Sequence, residues 1–250
     1  MLLVCYSHSE YSDVLQVQSD FLQSVPYQKV VLLDKPTQLP FDRTILYDDT
    51  LSFSKKVYTT VSQLNDEYIL FYHDNDIILH VNITDIEKMI TIMKEQNIDR
   101  IDLKHYSPDT PGIVIRSTYE FNNNTSVCLY DTSTRFEFIY NVQPSLWKRT
   151  ALLDIMNKFD CTYREIEGAV QDYCRETKNM AFLLTQTPIP NGYMSVTLSY
   201  IFIHITRYGH LMPIQPINGW VNDGINIEIL HAYKSILSIY SFKRPIREWL

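Results

Sequence analysis

Two carboxylates separated by one residue follow directly on an apolar run in Glu67-Tyr68-Ile69-Leu70-Phe71-Tyr72-His73-Asp74-Asn75-Asp76, and Ile77-Ile78-Leu79 come next. A strand that ends on such a pair presents oxygen ligands from a rigid support. Hard divalent cations such as Mg²⁺ or Mn²⁺ take carboxylate and phosphate oxygens together, and in that position offset the charge that grows on a departing diphosphate. The competing explanation is a surface turn in which Asp and Asn cap the next segment. Here the pair lies between two apolar runs, so its carboxylates stand close to buried backbone, where an unpaired charge is costly.

The elements that would position this turn can be read from periodicity. Leu2 to Tyr6, Lys29 to Leu33, Thr44 to Tyr47 and Tyr68 to Tyr72 form short apolar strands. Val14, Val17, Phe21 and Leu22 recur at helical spacing before Pro26, and Val57, Val61 and Leu64 do so in a second helix over 54–64. Strands alternating with helices in this way predict βαβ units and a largely parallel sheet, with ligands beyond the carboxyl ends of its strands. Thr84-Asp85-Ile86-Glu87 has the capping-box pattern, ahead of a helix with Ile86, Met89, Ile90 and Met93 inward. Ile101 and Leu103 alternate with Asp102 and Lys104, which predicts a strand with one exposed face.

From about Pro108 the pattern changes to strands joined by polar turns, at 113–115, 127–130 and 136–140, which predicts antiparallel or mixed pairing. Helices are expected over 145–157 and 162–176, a strand over 197–205 and a last helix near 227–241. No repeat, heptad array or low-complexity linker interrupts the chain. The expectation is one α/β domain, with a ligand-binding half over about 1–107 and a second half over about 108–250.

Composition bounds the function. Of 250 residues 45% are hydrophobic and 20% charged, an ordinary globular balance. The formal charge of -7 argues against a protein that grips nucleic acid through a broad basic face, so a phosphorylated ligand would need local cations or a metal. Cys5, Cys128, Cys161 and Cys174 are widely spaced, with no Cys-x-x-Cys pair, which disfavours a zinc ribbon or thioredoxin-like site. The apolar start Met1 to Tyr6 is too short for a signal peptide and lacks its basic flank, and no run approaches the roughly 20 residues of a membrane span. A cytoplasmic protein is expected, with the sequons at Asn82 and Asn123 chance matches.

The acidic strand, two or three βα units before it, the segment Gln143-Pro144-Ser145-Leu146-Trp147-Lys148 and the acidic Tyr163-Arg164-Glu165-Ile166-Glu167 come in an order that resembles the GT-A class of nucleotide-sugar glycosyltransferases, in particular its small viral and bacterial members. The match spans about Leu2 to Gln171. It departs from the family pattern at Tyr163, where tryptophan is expected, and after the first strand, where many relatives carry an arginine.

The resemblance implies a GT-A-like, Rossmann-type mixed sheet with helices on both faces and a Mn²⁺ or Mg²⁺ ion held by Asp76, with Asp74 holding the metal through water or touching the donor. Ser7, His8 and Glu10 would lie near the nucleobase and ribose, although serines there also suit a helix cap. Lys56 would meet the diphosphate, and Asn75 would belong to the donor site. Gln143 and Trp147 would face the transferred sugar, Trp147 by stacking or else as a core anchor. Glu165 or Glu167 would be the base that takes the proton of an attacking hydroxyl, Glu165 being equally explained as the partner of Thr162 in a capping box. His204, in an apolar strand, is a third metal-ligand candidate.

The activity implied is transfer of a hexosyl or deoxyhexosyl group from a UDP- or GDP-sugar, UDP favoured, to a saccharide or glycan hydroxyl. Two rivals stand beside it: a nucleotidyltransferase acting on sugar phosphates, which usually carries a glycine-rich loop absent from Ser7-His8-Ser9-Glu10, and a glycan-binding relative without activity.

Overall fold

The first, second and fourth strands carry apolar residues at successive positions, and that double pattern needs cover on both faces. In the computed structural model, which describes residues 1–106, 110–122, 125–185, 194–196, 200–204, 206–207, 210–211 and 235–242, they have it. Strands β1 (Leu2–Tyr6), β2 (Gln28–Leu33), β3 (Arg43–Leu46) and β4 (Tyr68–His73) lie parallel in the order β3-β2-β1-β4. Helices α1 (Ser12–Leu22) and α2 (Phe53–Val61) connect them on opposite faces. Leu2, Val4, Val30 and Leu32 pack with Phe53, Val57 and Val61 of α2, whereas Leu3, Cys5, Val31 and Leu33 pack with Leu15 and Leu22 of α1. This is the doubly wound arrangement, whose crevice for ligands lies past the carboxyl ends of the strands.

After β4 the chain leaves this sheet. Strand β5 (Asp76–Val81) belongs to a small separate sheet, and helix α3 (Ile83–Glu95) returns to cover the α1 face through Ile86, Met89, Ile92 and Met93. Its N-cap is Asn82, whose side chain accepts from Asp85 N, so the capping box predicted at Thr84 is displaced by two residues. Strand β6 (Arg100–Tyr106), the hairpin β7 (Ile115–Asn122) and β8 (Thr125–Tyr130), and β9 (Ser145–Lys148) rejoin the main sheet. Helices α4 (Arg149–Lys158), α5 (Ile166–Ala169) and α6 (Gln171–Thr177) add to the α2 face, and β10 (Met180–Thr185) completes nine strands in the order β3-β2-β1-β4-β9-β6-β10-β8-β7. Strand β11 (Met194–Val196) pairs with β12 (Tyr200–His204), which pairs with β5, and β13 (Thr206–Arg207) pairs with β14 (His210–Leu211). Residues 235–239 form a helical turn tied to α1 by Tyr240 Oη donating to Asp20 Oδ2 at 2.8 Å.

Several expectations are corrected. Residues 145–148 are a strand, not the start of a helix: β9 lies antiparallel between β4 and β6, with Leu146 and Trp147 pointing to opposite faces and filling a gap that only a fourth-to-sixth strand bridge could close. The helix predicted over 162–176 is two short helices meeting at Val170. Residues 136–140 form no strand, because their backbone is held by side chains rather than by a ladder. Asp102 is fully buried instead of exposed, since β6 has strands on both sides and covered faces. In the main sheet β9 lies between β4 and β6. Of the predicted 197–205 strand and 227–241 helix, residues 197–199, 205 and 227–234 lie outside the described residues. All four cysteines are free and buried, and no described helix is long and apolar enough to cross a membrane.

Candidate functional site

β1 and β4 run parallel with Tyr6 opposite His73, so the residues that follow each strand emerge side by side at the carboxyl edge. Asp74 N donates to Tyr6 O at 3.2 Å, and Ser7 Oγ donates to Asp74 Oδ2 at 2.6 Å. Ser7 is itself buried and held by its N–H on Leu32 O, so the sequence-predicted pair Ser7 and Asp74 is brought into direct contact. Asp76 opens β5 and is 3% exposed. On one side β5 pairs with β12, His204 standing in register with Asp76. On the other side Gln18 of α1 substitutes for a strand: its amide oxygen accepts from Ile78 N at 2.9 Å and its Nε2 donates to Ile78 O at 3.3 Å. The acidic turn is thus clamped at both ends, by β1 and by α1. Asn75 Oδ1, inside the turn, is enclosed without a hydrogen-bond partner among the described residues.

A second cluster gathers beyond β1, β2 and β3. His8 Nδ1 accepts from Glu10 N at 3.2 Å, which places the ring proton on Nε2, 3.4 Å from Asp34 Oδ2 and 3.8 Å from Asp49 Oδ2. Asp34 accepts from Ser9 N at 2.6 Å and Ser9 Oγ at 2.8 Å. Burial pushes its pKa up, but these bonds and His8 outweigh that and hold it below the ordinary carboxylate value. Glu10 is exposed in the short 3₁₀ turn 9–11. Lys56 is committed to Asp49, which it meets at 2.5 Å, and its ammonium lies 5.1 Å over the Tyr47 ring. Tyr47 in turn donates to Ser7 O at 2.7 Å, coupling this cluster to the acidic turn. Lys55 reaches away to Asn157 O.

Between the acidic turn and α5 runs a wall of aromatic rings. His73 is 2% exposed and surrounded by Tyr6, Phe53, Phe71 and Tyr163 at centroid distances of 5.2 to 5.8 Å. Burial pushes its pKa down to about 3, so it is neutral in neutral solution, and Nε2 finds no partner among the described residues. Tyr163 is 38% exposed. Desolvation of its phenol, then the carboxylates of Asp76, Asp74 and Glu167, raise its pKa well above the usual tyrosine value. The hydroxyl therefore stays protonated and stands within the field of all three carboxylates.

The remaining predicted site residues separate. Glu165 accepts from Thr162 N and Oγ1 at 2.9 and 2.7 Å, the capping arrangement expected from its spacing. Glu167 is partly buried, and its Oε1 accepts from Val142 N at 2.9 Å, so it supports the loop 138–143. Gln143 lies in that loop with Oε1 enclosed and unpartnered among the described residues. Trp147 does not offer a stacking surface: it is 2% exposed in the core, with the Arg100 guanidinium 5.2 Å from its ring centroid. Arg100, fully buried, donates to Ile139 O, Asn141 O, Asn141 Oδ1 and Ser145 Oγ, while Asn141 Nδ2 and Tyr106 Oη donate to Asp102. Asp34 and Asp49 went unnoticed in the sequence, although Asp34 directly follows an apolar strand just as Asp74 does.

The edge is acidic, with Asp34, Asp49, Asp74 and Asp76 against Lys56. Among the described residues no group of three or more His, Cys, Asp or Glu side chains is placed to hold a metal ion. Asp74 and Asp76 bring hard oxygen donors, which suit a Mg²⁺- or Mn²⁺-type ion completed by phosphate and water oxygens and do not suit a closed structural zinc site.

No family model matches the chain, and no curated protein matches it by sequence. Among solved structures it is similar to Staphylococcus aureus TarS 1-349, at 14% identity and a TM-score of 0.44 over 75% of this chain and 59% of that one. It is also similar to a UDP-glucose pyrophosphorylase complexed with UDP-glucose, at 9% identity and a TM-score of 0.41 over 74% and 90%. A nucleotidyl transferase from Methanothermobacter is similar at 9% identity and 0.38 over 75% and 88%. The chain thus spans about three fifths of the TarS fragment, and 36% of the longer TarS structure. Likeness at this level carries no activity across.

Proposed function

We propose that the chain is a metal-dependent glycosyltransferase that takes a sugar from a nucleotide diphosphate donor, UDP-sugar favoured, and passes it to a hydroxyl of a saccharide or glycan. The observation that carries this reading is the clamped acidic turn at the carboxyl edge of four parallel strands, with Asp76 buried and Asp74 fixed by Ser7. Two carboxylates separated by one residue, one of them buried, repel a bare diphosphate, so an anionic ligand here calls for a cation between them.

A divalent ion held by Asp74 and Asp76, with His204 in register beside Asp76, would supply charge neutralisation for the diphosphate as the glycosidic bond to it breaks. His8, Asp34 and Asp49 offer hydrogen-bonding groups for the nucleoside beyond β1 and β2. Glu167 would take the proton of the attacking hydroxyl while that oxygen bonds to the anomeric carbon, in an inverting transfer. Glu165 serves as a cap, and Gln143, on the loop that Glu167 supports, is available to a sugar hydroxyl.

Nucleotidyl transfer is the rival. The loop after β1 is a 3₁₀ turn with Ser9 bound to Asp34, and no glycine opens it to a triphosphate. The test is a screen of UDP- and GDP-sugars with Mn²⁺, followed by product analysis of the wild type and Asp76→Ala. Slow release of the nucleoside diphosphate, falling at least about a hundredfold in Asp76→Ala with the fold intact, is expected. Undiminished metal-dependent turnover in the variant would sink the proposal, and pyrophosphate release with a sugar phosphate would favour the rival.

A further inference from the structure

With Trp147 in the core, the aromatic surface beside the acidic turn is supplied elsewhere. Tyr163 sits at the end of the ring wall, meeting Phe53 and His73 in T-shaped contacts, both at 5.2 Å between centroids, with 38% of the residue open to solvent. Phe138 is comparably exposed, but its ring contact is Phe136 and it touches no ring of the acidic turn's wall. His73, against which Tyr163 packs, directly precedes Asp74, and Glu167 follows Tyr163 by four residues, in α5. A protonated phenol keeps lone pairs with which its oxygen can accept from a hydroxyl. The neighbouring His73 Nε2, buried and unpartnered among the described residues, shows that the polar groups of this wall are not fully satisfied from within the protein.

We propose that Tyr163 is the specificity-determining contact for the glycosyl group of the donor, its exposed ring packing on the apolar face of the sugar and its hydroxyl oxygen accepting from a sugar hydroxyl. This rests on the glycosyltransferase reading and names the residue that separates a nucleotide sugar from the bare nucleotide. An aromatic platform of this kind contributes through its ring, and a hydroxyl contact adds direction.

The test is calorimetric titration of the full chain with UDP, GDP and a panel of their sugars in the presence of Mn²⁺, for wild type, Tyr163→Phe and Tyr163→Ala. Tyr163→Ala is expected to weaken nucleotide-sugar binding by roughly fivefold to tenfold while leaving the nucleoside diphosphate within about twofold, and Tyr163→Phe to fall between. Tyr163→Phe keeps the packing on Phe53 and His73, so a loss of sugar discrimination in that variant cannot come from unfolding. Equal loss for nucleotide and nucleotide sugar, or no loss for either, overturns the role of Tyr163 alone. A wild type that binds no nucleotide or nucleotide sugar overturns it together with the reading on which it rests.

Discussion

Gln18→Leu isolates the clamp that sets the acidic turn. Gln18 is 1% exposed and its two hydrogen bonds, at 2.9 and 3.3 Å, satisfy both backbone groups of Ile78 on the edge of β5 that faces α1. Leucine matches the volume but has no polar atoms, so Ile78 N–H and C=O are left buried and unpaired. Each such group costs about 1–3 kcal/mol, and the apolar gain of leucine returns about 1, so a net loss of roughly 1–5 kcal/mol is expected. Urea unfolding should show a lower midpoint at unchanged slope, and hydrogen exchange should show the Ile78 amide opening faster than amides in β1. Gln18→Glu sharpens the reasoning. Ionised, it accepts from Ile78 N but cannot donate to Ile78 O, and burial raises its pKa. A group whose pKa is raised in the folded state lends stability below its unfolded value and loses it as pH rises through the folded value. The deficit of Gln18→Glu should therefore be large at pH 7 and shrink towards pH 4 as the protonated carboxyl regains a donor. A Gln18→Leu protein within about 0.5 kcal/mol of wild type, with Ile78 equally protected, would refute the clamp.

Two other perturbations follow from the same packing. Arg100→Met removes four hydrogen bonds onto 139–145 and leaves Asp102 buried beside no cation, so a loss of about 3–5 kcal/mol is expected, partly restored by Asp102→Leu in the double variant; independent, additive losses in a double-mutant cycle would show that the two do not act as a unit. Asp34, held below its ordinary pKa, lends stability that is full above the unfolded value of about 3.9 and lost as pH falls through its folded value, so the difference in urea midpoint between wild type and Asp34→Asn should close below about pH 4, and a constant difference from pH 7 to 3 would contradict the assignment.

What was legible in the sequence is what local pattern decides. The four parallel strands appeared as apolar runs, and β1 falls on Leu2–Tyr6 as read. The acidic turn announced itself by two carboxylates at a strand end, and the Thr162–Glu165 cap by its three-residue spacing, which is a contact within one turn of chain. Tertiary structure alone decided the rest. Leu146 and Trp147 have the same apolar character in a helix or a strand, and only the vacancy between β4 and β6 makes them β9 and buries the indole that the sequence offered as a sugar platform. Asp102 looked solvated beside Lys104, but its partners lie elsewhere in the chain, Asn141 being 39 residues away. Gln18 reads as an ordinary helical glutamine, and the strand edge it completes is 60 residues downstream. Burial of a polar group depends on partners that the fold brings together, and neither hydrophobic period nor capping spacing carries information over such separations.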